Sequence, residues 1–229
     1  MHTALGYIVQ VIIMKKLVIL GFDGTIADTS PGILYCFNTA ATAMGYQPVD
    51  HEALFGVIGI SLEEGFEKLF KMKEDEIEYA AKNYSKLYSQ KGKEMVTFYK
   101  GIETSIKKLR ELGCKIAIAT QKHKMFTSDI IETHEIAGLF DAVCATDVGT
   151  NLTKSDLLMQ ACETLGIDVA DSIFIGDGEV DAEAAEKVGM DFAAALYGWD
   201  FRTKEDAEKY NCKAYLNSAA EIFDKISVL

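Results

Sequence analysis

Leu17-Val18-Ile19-Leu20-Gly21-Phe22-Asp23-Gly24-Thr25-Ile26-Ala27-Asp28-Thr29 is the stretch on which the reading of this chain turns. Its four leading apolar residues, entered from Lys15-Lys16, read as a buried strand. The run breaks at once into Gly, Asp-Gly and Thr, the residues of a tight turn with a polar mouth. Ligands of open parallel sheets bind at the C-terminal ends of strands. A carboxylate and a hydroxyl placed there are candidates for chemistry. Taken alone, the same residues also fit an ordinary Asp-Gly turn.

Upstream, His2–Met14 is mildly apolar, too short to span a bilayer, and without a basic leader or cleavage signal. Met14-Lys15-Lys16 reads as a start just ahead of the strand. Residues 1–13 are then an N-terminal extension, with an extra edge strand over Tyr7–Ile13 as the alternative.

Downstream, Pro31 suits a first helical turn, and apolar residues at Ile33, Phe37, Ala40, Ala41 and Met44 keep helical spacing. Gly45-Tyr46-Gln47-Pro48 interrupts the pattern, which resumes over Glu63–Phe70 and Glu74–Tyr88. A tyrosine stripe there (Tyr79, Tyr84, Tyr88) reads as core. Strand patterns are scarce between Ser30 and Glu94, so residues 30–94 are expected to form a helical insertion.

From Lys100 helix and strand alternate. Helices are expected over Gly101–Leu112, Met125–Ile136, Lys154–Leu165 and Glu179–Val188, with Gly113, Gly166 and Gly189 as stops. Strands are expected over Lys115–Ala119, Ala142–Ala145, Ser172–Gly176 and Phe192–Leu196, and a last strand and helix over Ala214–Ile226. Such alternation predicts an α/β, doubly wound parallel sheet. Its discontinuous core spans residues 14–29 and 95–229, with the helical insertion as a cap.

Bulk properties narrow the function. The chain has 229 residues, nearly half of them apolar, and a formal charge of −12, which argues against binding a phosphate backbone. A small phosphorylated substrate needs only a local positive pocket. No stretch reads as a membrane span. The five cysteines are scattered without CxxC spacing and read as reduced thiols of a cytoplasmic protein.

Three strand ends carry polar residues suited to a shared chemistry. Asp23 with Thr25 comes first, then Thr120, then Asp177 with Asp181 one helical turn on. Lys154 opens an intervening helix. Carboxylates without clustered His or Cys suit a hard cation, and Mg²⁺ is the usual choice beside phosphate. A hydroxyl, a lysine and helix N-termini suit the phosphate itself. Singly, Thr120 could be a helix N-cap, Lys154 a solvated helix end and Asp177 a turn residue; together at successive strand ends they point to a site. Lys122, His123 and Lys124 could add positive potential at its mouth, whereas His51, His123 and His134 read as surface or packing residues.

The order GFDGT, AIATQK, Lys154 and FIGDGEVDAEAAEKVGM resembles the four motifs of the haloacid dehalogenase superfamily, in its phosphoglycolate-phosphatase-like branch with a helical cap. That resemblance implies a mobile cap and Mg²⁺-dependent hydrolysis of a small phosphomonoester through an aspartyl-phosphate. It implies that Asp23 is the general acid and base and lends its backbone carbonyl to the metal. Thr120, Gln121, Lys154 and Gly24 would contact the phosphoryl group. Asp177 would be the main metal carboxylate, with Asp181 as ligand or orienter.

One departure is severe. The family's nucleophilic aspartate stands two residues before the acid/base, and here that position is Gly21. Glycine has no side chain to attack phosphorus, so the chain as written is expected to be inactive or nearly so. Gln121, Ser155 and Gly178 are tolerable departures. Three readings follow: a phosphatase carrying a substitution at Gly21, a natural non-catalytic relative that binds a phosphorylated ligand or a protein partner, or slow direct attack by water.

Overall fold

The computed structural model describes residues 15–57, 60–147 and 150–229, so the expectations for residues 1–13 and Tyr7–Ile13 lie outside the described residues. The strands are β1 (Leu17–Leu20), β2 (Ala27–Asp28), β3 (Thr97–Phe98), β4 (Lys115–His123), β5 (Ala142–Thr146), β6 (Ser172–Gly176), β7 (Asp191–Ala195) and β8 (Cys212–Leu216). The helices are α1 (Ser30–Thr42), α2 (Leu62–Phe70), α3 (Glu74–Gln90), α4 (Ile102–Glu111), α5 (Lys124–Thr133), α6 (Lys154–Leu165), α7 (Glu179–Val188), α8 (Lys204–Ala207) and α9 (Ile222–Ile226).

Six strands form one parallel sheet in the order β5-β4-β1-β6-β7-β8. β1 lies between β4 and β6, with Leu20 level with Ile118 on one side and Ile175 on the other. The chain winds outward from β1 to β4 and β5, then returns across β1 to start the other half at β6. That reversal is a topological switch point, where the crevice beyond the strand ends opens.

Both faces of the sheet are covered, and the twofold period of the strands sorts their side chains between them. Val18, Leu20, Ile116, Ile118, Ile173 and Ile175 pack with α4, α5 and α9. Leu17, Ile19, Ala117, Ala119, Phe174 and Phe192 pack with α6 and α7. This explains why β1 is apolar at every position: all four residues are fully buried.

Helices α1, α2 and α3 form a third cluster around Phe37, Phe66, Tyr84 and Tyr88. They are inserted between β2 and β3, which pair antiparallel through Ala27–Phe98 and Asp28–Thr97. Tyr84 and Tyr88 are core as expected, but Tyr79 is exposed, on the outer face of α3. Lys93 reaches Asp129 of α5, tying the end of this layer to the core.

Several boundaries shift. The strand read as Lys115–Ala119 continues to His123, because an irregularity between Thr120 and His123 lets polar residues stay on the ladder with β5. The helix read as Met125–Ile136 ends at Thr133. Helix α8 gave no periodic signal over its four residues and is set by the Thr203–Asp206 capping box.

At the opposite end of the sheet, Asp141 accepts hydrogen bonds from the Ile116 amide at 3.0 Å and Lys115 Nζ at 2.9 Å, and from Arg110 Nη1. Burial raises its pKa, but the Ile116 amide, Lys115 and Arg110 together leave it below the ordinary carboxylate value. A carboxylate depressed on folding contributes stability above its unfolded pKa of about 3.9, lost as pH falls through the folded value. Asp141→Asn should therefore cost about 1–2 kcal/mol at pH 7 and progressively less as the pH falls below the ordinary carboxylate range, measured by urea unfolding at pH 7 and through an acid series.

Candidate active site

The site is built by three neighbouring strand ends. After Leu20, the Gly21 amide donates to the Ile175 carbonyl at 2.9 Å, extending the β1 ladder by one residue. The chain then turns over the Phe22 carbonyl, which accepts from the amides of Thr25, Ile26 and Ala27. Tyr197 Oη braces this turn by donating to the Thr25 carbonyl at 2.9 Å. Gly24 has a positive φ of 75°, and a Cβ there would lie 2.1 Å from Asp177 Oδ2. Glycine is thus required by conformation and by the closeness of Asp177 in the last motif.

Asp23 projects from the turn and accepts from Lys122 Nζ at 2.9 Å and from Thr29 Oγ1. Lys122 is buried, with its ammonium 4.6 Å from the Tyr88 ring centroid. Burial pulls its pKa down, but the Asp23 carboxylate and the Tyr88 oxygen outweigh burial and hold it above the usual lysine value. The β4 irregularity aims this side chain inward; the Lys122 amide donates to Thr120 Oγ1 at 3.1 Å, and Thr146 Oγ1 donates to the Gln121 carbonyl at 2.7 Å. The polar run after Ala119 contained Lys122 but gave no sign that it would pair with Asp23.

Thr120 is buried and lines the cavity. It does not cap α5: that role belongs to His123, whose Nδ1 accepts from the Met125 amide at 3.2 Å. Gln121 also lines the cavity, and its Oε1 is buried without a hydrogen-bond partner among the described residues.

Lys154 is no solvated helix end. Its Nζ lies 2.9 Å from Asp181 Oδ1, both side chains about a tenth exposed or less. Asp181 Oδ2 accepts from the Asp177 amide at 3.1 Å, so both oxygens of Asp181 are engaged. Asp177 Oδ2 accepts from the Trp199 amide at 2.9 Å, and Oδ1 lies 3.5 Å from Thr25 Oγ1. Burial and the charge of Asp181 push the Asp177 carboxyl up to about 7.

Asp23, Thr120, Gln121, Lys122, Lys154, Asp177 and Asp181 line one end of a cavity of about 310 Å³ between the strand ends and helices α1–α3, and Gly24 and Thr25 do not. Its charged lining has four carboxylates (Asp23, Asp177, Asp181, Asp200) against two lysines (Lys122, Lys154). Among the described residues no three Asp, Glu, His or Cys side chains converge as a metal cage. Mg²⁺, however, keeps several waters and is commonly held by one or two carboxylates plus a ligand's phosphate. Asp177 and the Asp23 carbonyl fit that demand, Asp181 with both oxygens engaged fits the orienter role, and the excess of carboxylates over lysines favours a cation. Lys124 is not among the residues lining the cavity, whereas His123 is.

Comparison with known proteins gives a consistent result. The model of the family described as haloacid dehalogenase-like hydrolase matches residues 18–195. A phosphoglycolate phosphatase of Psychrobacter arcticus is 26% identical over 230 residues, covering 94% of each chain. A phosphoglycolate phosphatase of Nitrosospira multiformis is 26% identical over 217 residues, covering 90% of this chain and 93% of that protein. Among solved structures, a predicted phosphatase from Clostridium acetobutylicum superposes with a TM-score of 0.86 at 28% identity, covering 94% of this chain and 100% of that one.

Proposed function

The chain belongs to the haloacid dehalogenase-like hydrolase family, and from that premise we propose that its cavity is a phosphomonoester hydrolase site of the phosphoglycolate-phosphatase-like kind, dependent on Mg²⁺ and carrying glycine at the nucleophile position. The observation that carries the reading is the convergence of Asp23, Thr120, Lys154 and Asp177 on one cavity at the switch point of the sheet.

In the reaction the family name implies, Thr120 Oγ1 and Lys154 Nζ hold the phosphoryl oxygens and offset their charge as it develops. Gln121 completes the cradle, whereas Gly24 is not among the residues lining the cavity and packs against Asp177. Asp23 protonates the leaving oxygen and then takes a proton from the attacking water. Asp177 and the Asp23 carbonyl would hold Mg²⁺, with Asp181 as ligand or orienter, and the ion would supply charge neutralisation to the phosphoryl group. Residues 30–94 act as the cap that excludes bulk water and contacts the leaving group. Five free cysteines, four of them buried, support a reducing, cytoplasmic setting. Among the described residues no helix is long and apolar enough to cross a membrane.

The first step, attack on phosphorus, has no donor in this chain, because Gly21 carries no carboxylate. Binding is therefore the activity expected of the chain as written. That property it shares with the second reading, a non-catalytic relative, which Gly21 itself favours.

Inorganic phosphate should raise the thermal midpoint in the presence of Mg²⁺ and leave it unmoved in EDTA. Asp177→Asn should abolish the shift. A shift equal in EDTA and in Mg²⁺ would remove the cation from the proposal.

A further inference from the structure

The cavity has two chemically opposite ends. Every charged side chain lining it comes from the core. The layer facing the strand ends presents Ile33 and Phe37 of α1, Val57, and Tyr84 and Tyr88 of α3, with Trp199 from the loop after β7 beside them. These six side chains are each more than nine-tenths buried, and together they form a wall of rings and branched aliphatics. The lysines of this layer, Lys68, Lys71, Lys73, Lys82, Lys86, Lys91 and Lys93, do not line the cavity.

The two lysines that do line it are already engaged, Lys122 by Asp23 and Lys154 by Asp181. A leaving group bearing its own carboxylate would bury that charge against aromatic carbon, where the one lysine in reach, Lys122 at 4.6 Å from the Tyr88 ring centroid, is already paired with Asp23. A polyhydroxylated leaving group would lose its hydration for few partners at this end, Ser61 and the hydroxyls of Tyr84 and Tyr88. An apolar ring would meet faces and edges suited to stacking. At about 310 Å³ the cavity is at the small end of small-molecule sites, with room for a phosphoryl group and little more than one ring.

We propose that the ligand class is a phosphate monoester of an apolar, ring-bearing alcohol, and that hydroxy-acid and sugar phosphates are disfavoured. This rests on the reading of the polar end as a phosphate and Mg²⁺ site. It departs from the substrate in the names of the relatives described above. The wall around Ile33, Phe37, Val57, Tyr84, Tyr88 and Trp199 selects because the lysines lining the cavity beside it are already paired with Asp23 and Asp181.

The chain as written is suited to the test, because without a nucleophile it should bind an ester without consuming it. Trp199 is the single tryptophan of the sequence and lines the cavity, so its fluorescence reports occupancy. With Mg²⁺ present, benzyl phosphate, 2-phosphoglycolate, glucose 6-phosphate and inorganic phosphate are each titrated. Benzyl phosphate is chosen because its leaving alcohol is no more activated than glycolate. The expected result is binding of benzyl phosphate on the order of 30-fold tighter than either other ester, displaced competitively by inorganic phosphate. The Gly21→Asp variant should rank the three esters in the same order by kcat/KM.

Binding of 2-phosphoglycolate or glucose 6-phosphate as tight as that of benzyl phosphate, with inorganic phosphate still competing, overturns the inference and leaves the phosphate site standing. Benzyl phosphate binding that inorganic phosphate does not displace also overturns it, since the ring would then sit away from the polar end. Failure of inorganic phosphate and all three esters to bind overturns the phosphate-site reading and this inference with it.

Discussion

Gly21→Asp should raise turnover of a simple aryl phosphate in Mg²⁺ by on the order of 10⁴- to 10⁶-fold over the chain as written, the range spanned by removing single members of a protease triad. The backbone permits the change, because Gly21 is not among the glycines with positive φ. Space is tight but adjustable. A Cβ at this position would lie 2.9 Å from Thr25 Oγ1 and 3.4 Å from Thr25 Cβ, with the Ile175 carbonyl oxygen next at 3.7 Å. The close contact is with the hydroxyl of a β-branched, fully buried Thr25, so the change requires a shift of a few tenths of an ångström there, and the long 3.5 Å hydrogen bond to Asp177 is the contact it would loosen.

The new carboxylate would enter a lining that already has more carboxylates than lysines. Its charge should therefore make the variant's thermal midpoint fall in EDTA and recover with Mg²⁺, a response weaker in the parent chain. Adding Asp23→Asn to Gly21→Asp should remove most of the gained turnover while leaving the Mg²⁺ response. A correctly folded Gly21→Asp protein that binds phosphate but hydrolyses nothing would sink the phosphatase reading and leave the binding one.

The second large effect concerns Lys122. Removing one member of a buried ion pair strands the other, which costs about 3–5 kcal/mol when both are fully buried. Asp23 keeps some exposure and Thr29 as a partner, so Lys122→Met should cost about 3 kcal/mol. For a chain of this length that corresponds to a thermal midpoint lower by roughly 6–12 °C. Asp23→Asn with Lys122→Met should cost clearly less than the sum of the two single changes, since the double variant leaves no stranded charge. Additive losses would mean that Lys122 is held by the Tyr88 ring and surrounding packing, with Asp23 an incidental neighbour.

The legibility of the site in the sequence had a physical limit. Asp23, Thr120 and Asp177 were readable because each follows an apolar run, and a parallel sheet carries such positions to one edge whatever lies between them. Glycine stops at Gly166 and Gly189 were equally readable, and both residues take up the left-handed conformation. The Lys122–Asp23 pair was not, because it depends on an irregularity in β4 that no periodicity announces. The two engaged oxygens of Asp181 depend on Lys154 from another helix. Helical spacing marks Tyr79, Tyr84 and Tyr88 alike as core, yet only Tyr84 and Tyr88 are buried; that these two also wall the cavity is a consequence of where α3 lies, which helical spacing alone does not encode.

The place of β1 in the sheet has a consequence for the order of folding. The strand that presents Asp23 is near the start of the described chain, yet its partners are residues 115–118 and 172–175. During synthesis both edges of β1 therefore stay unpaired until β4 and then β6 have emerged. Closing such distant pairs is entropically slow. An apolar strand waiting with open edges is a template for wrong pairing. Helices α1–α3, whose contacts are local, are expected to form early and α6, β6 and α7 late. Refolding should then show helical signal well before Trp199 reaches its native fluorescence, because its amide is held by Asp177, the residue that follows β6.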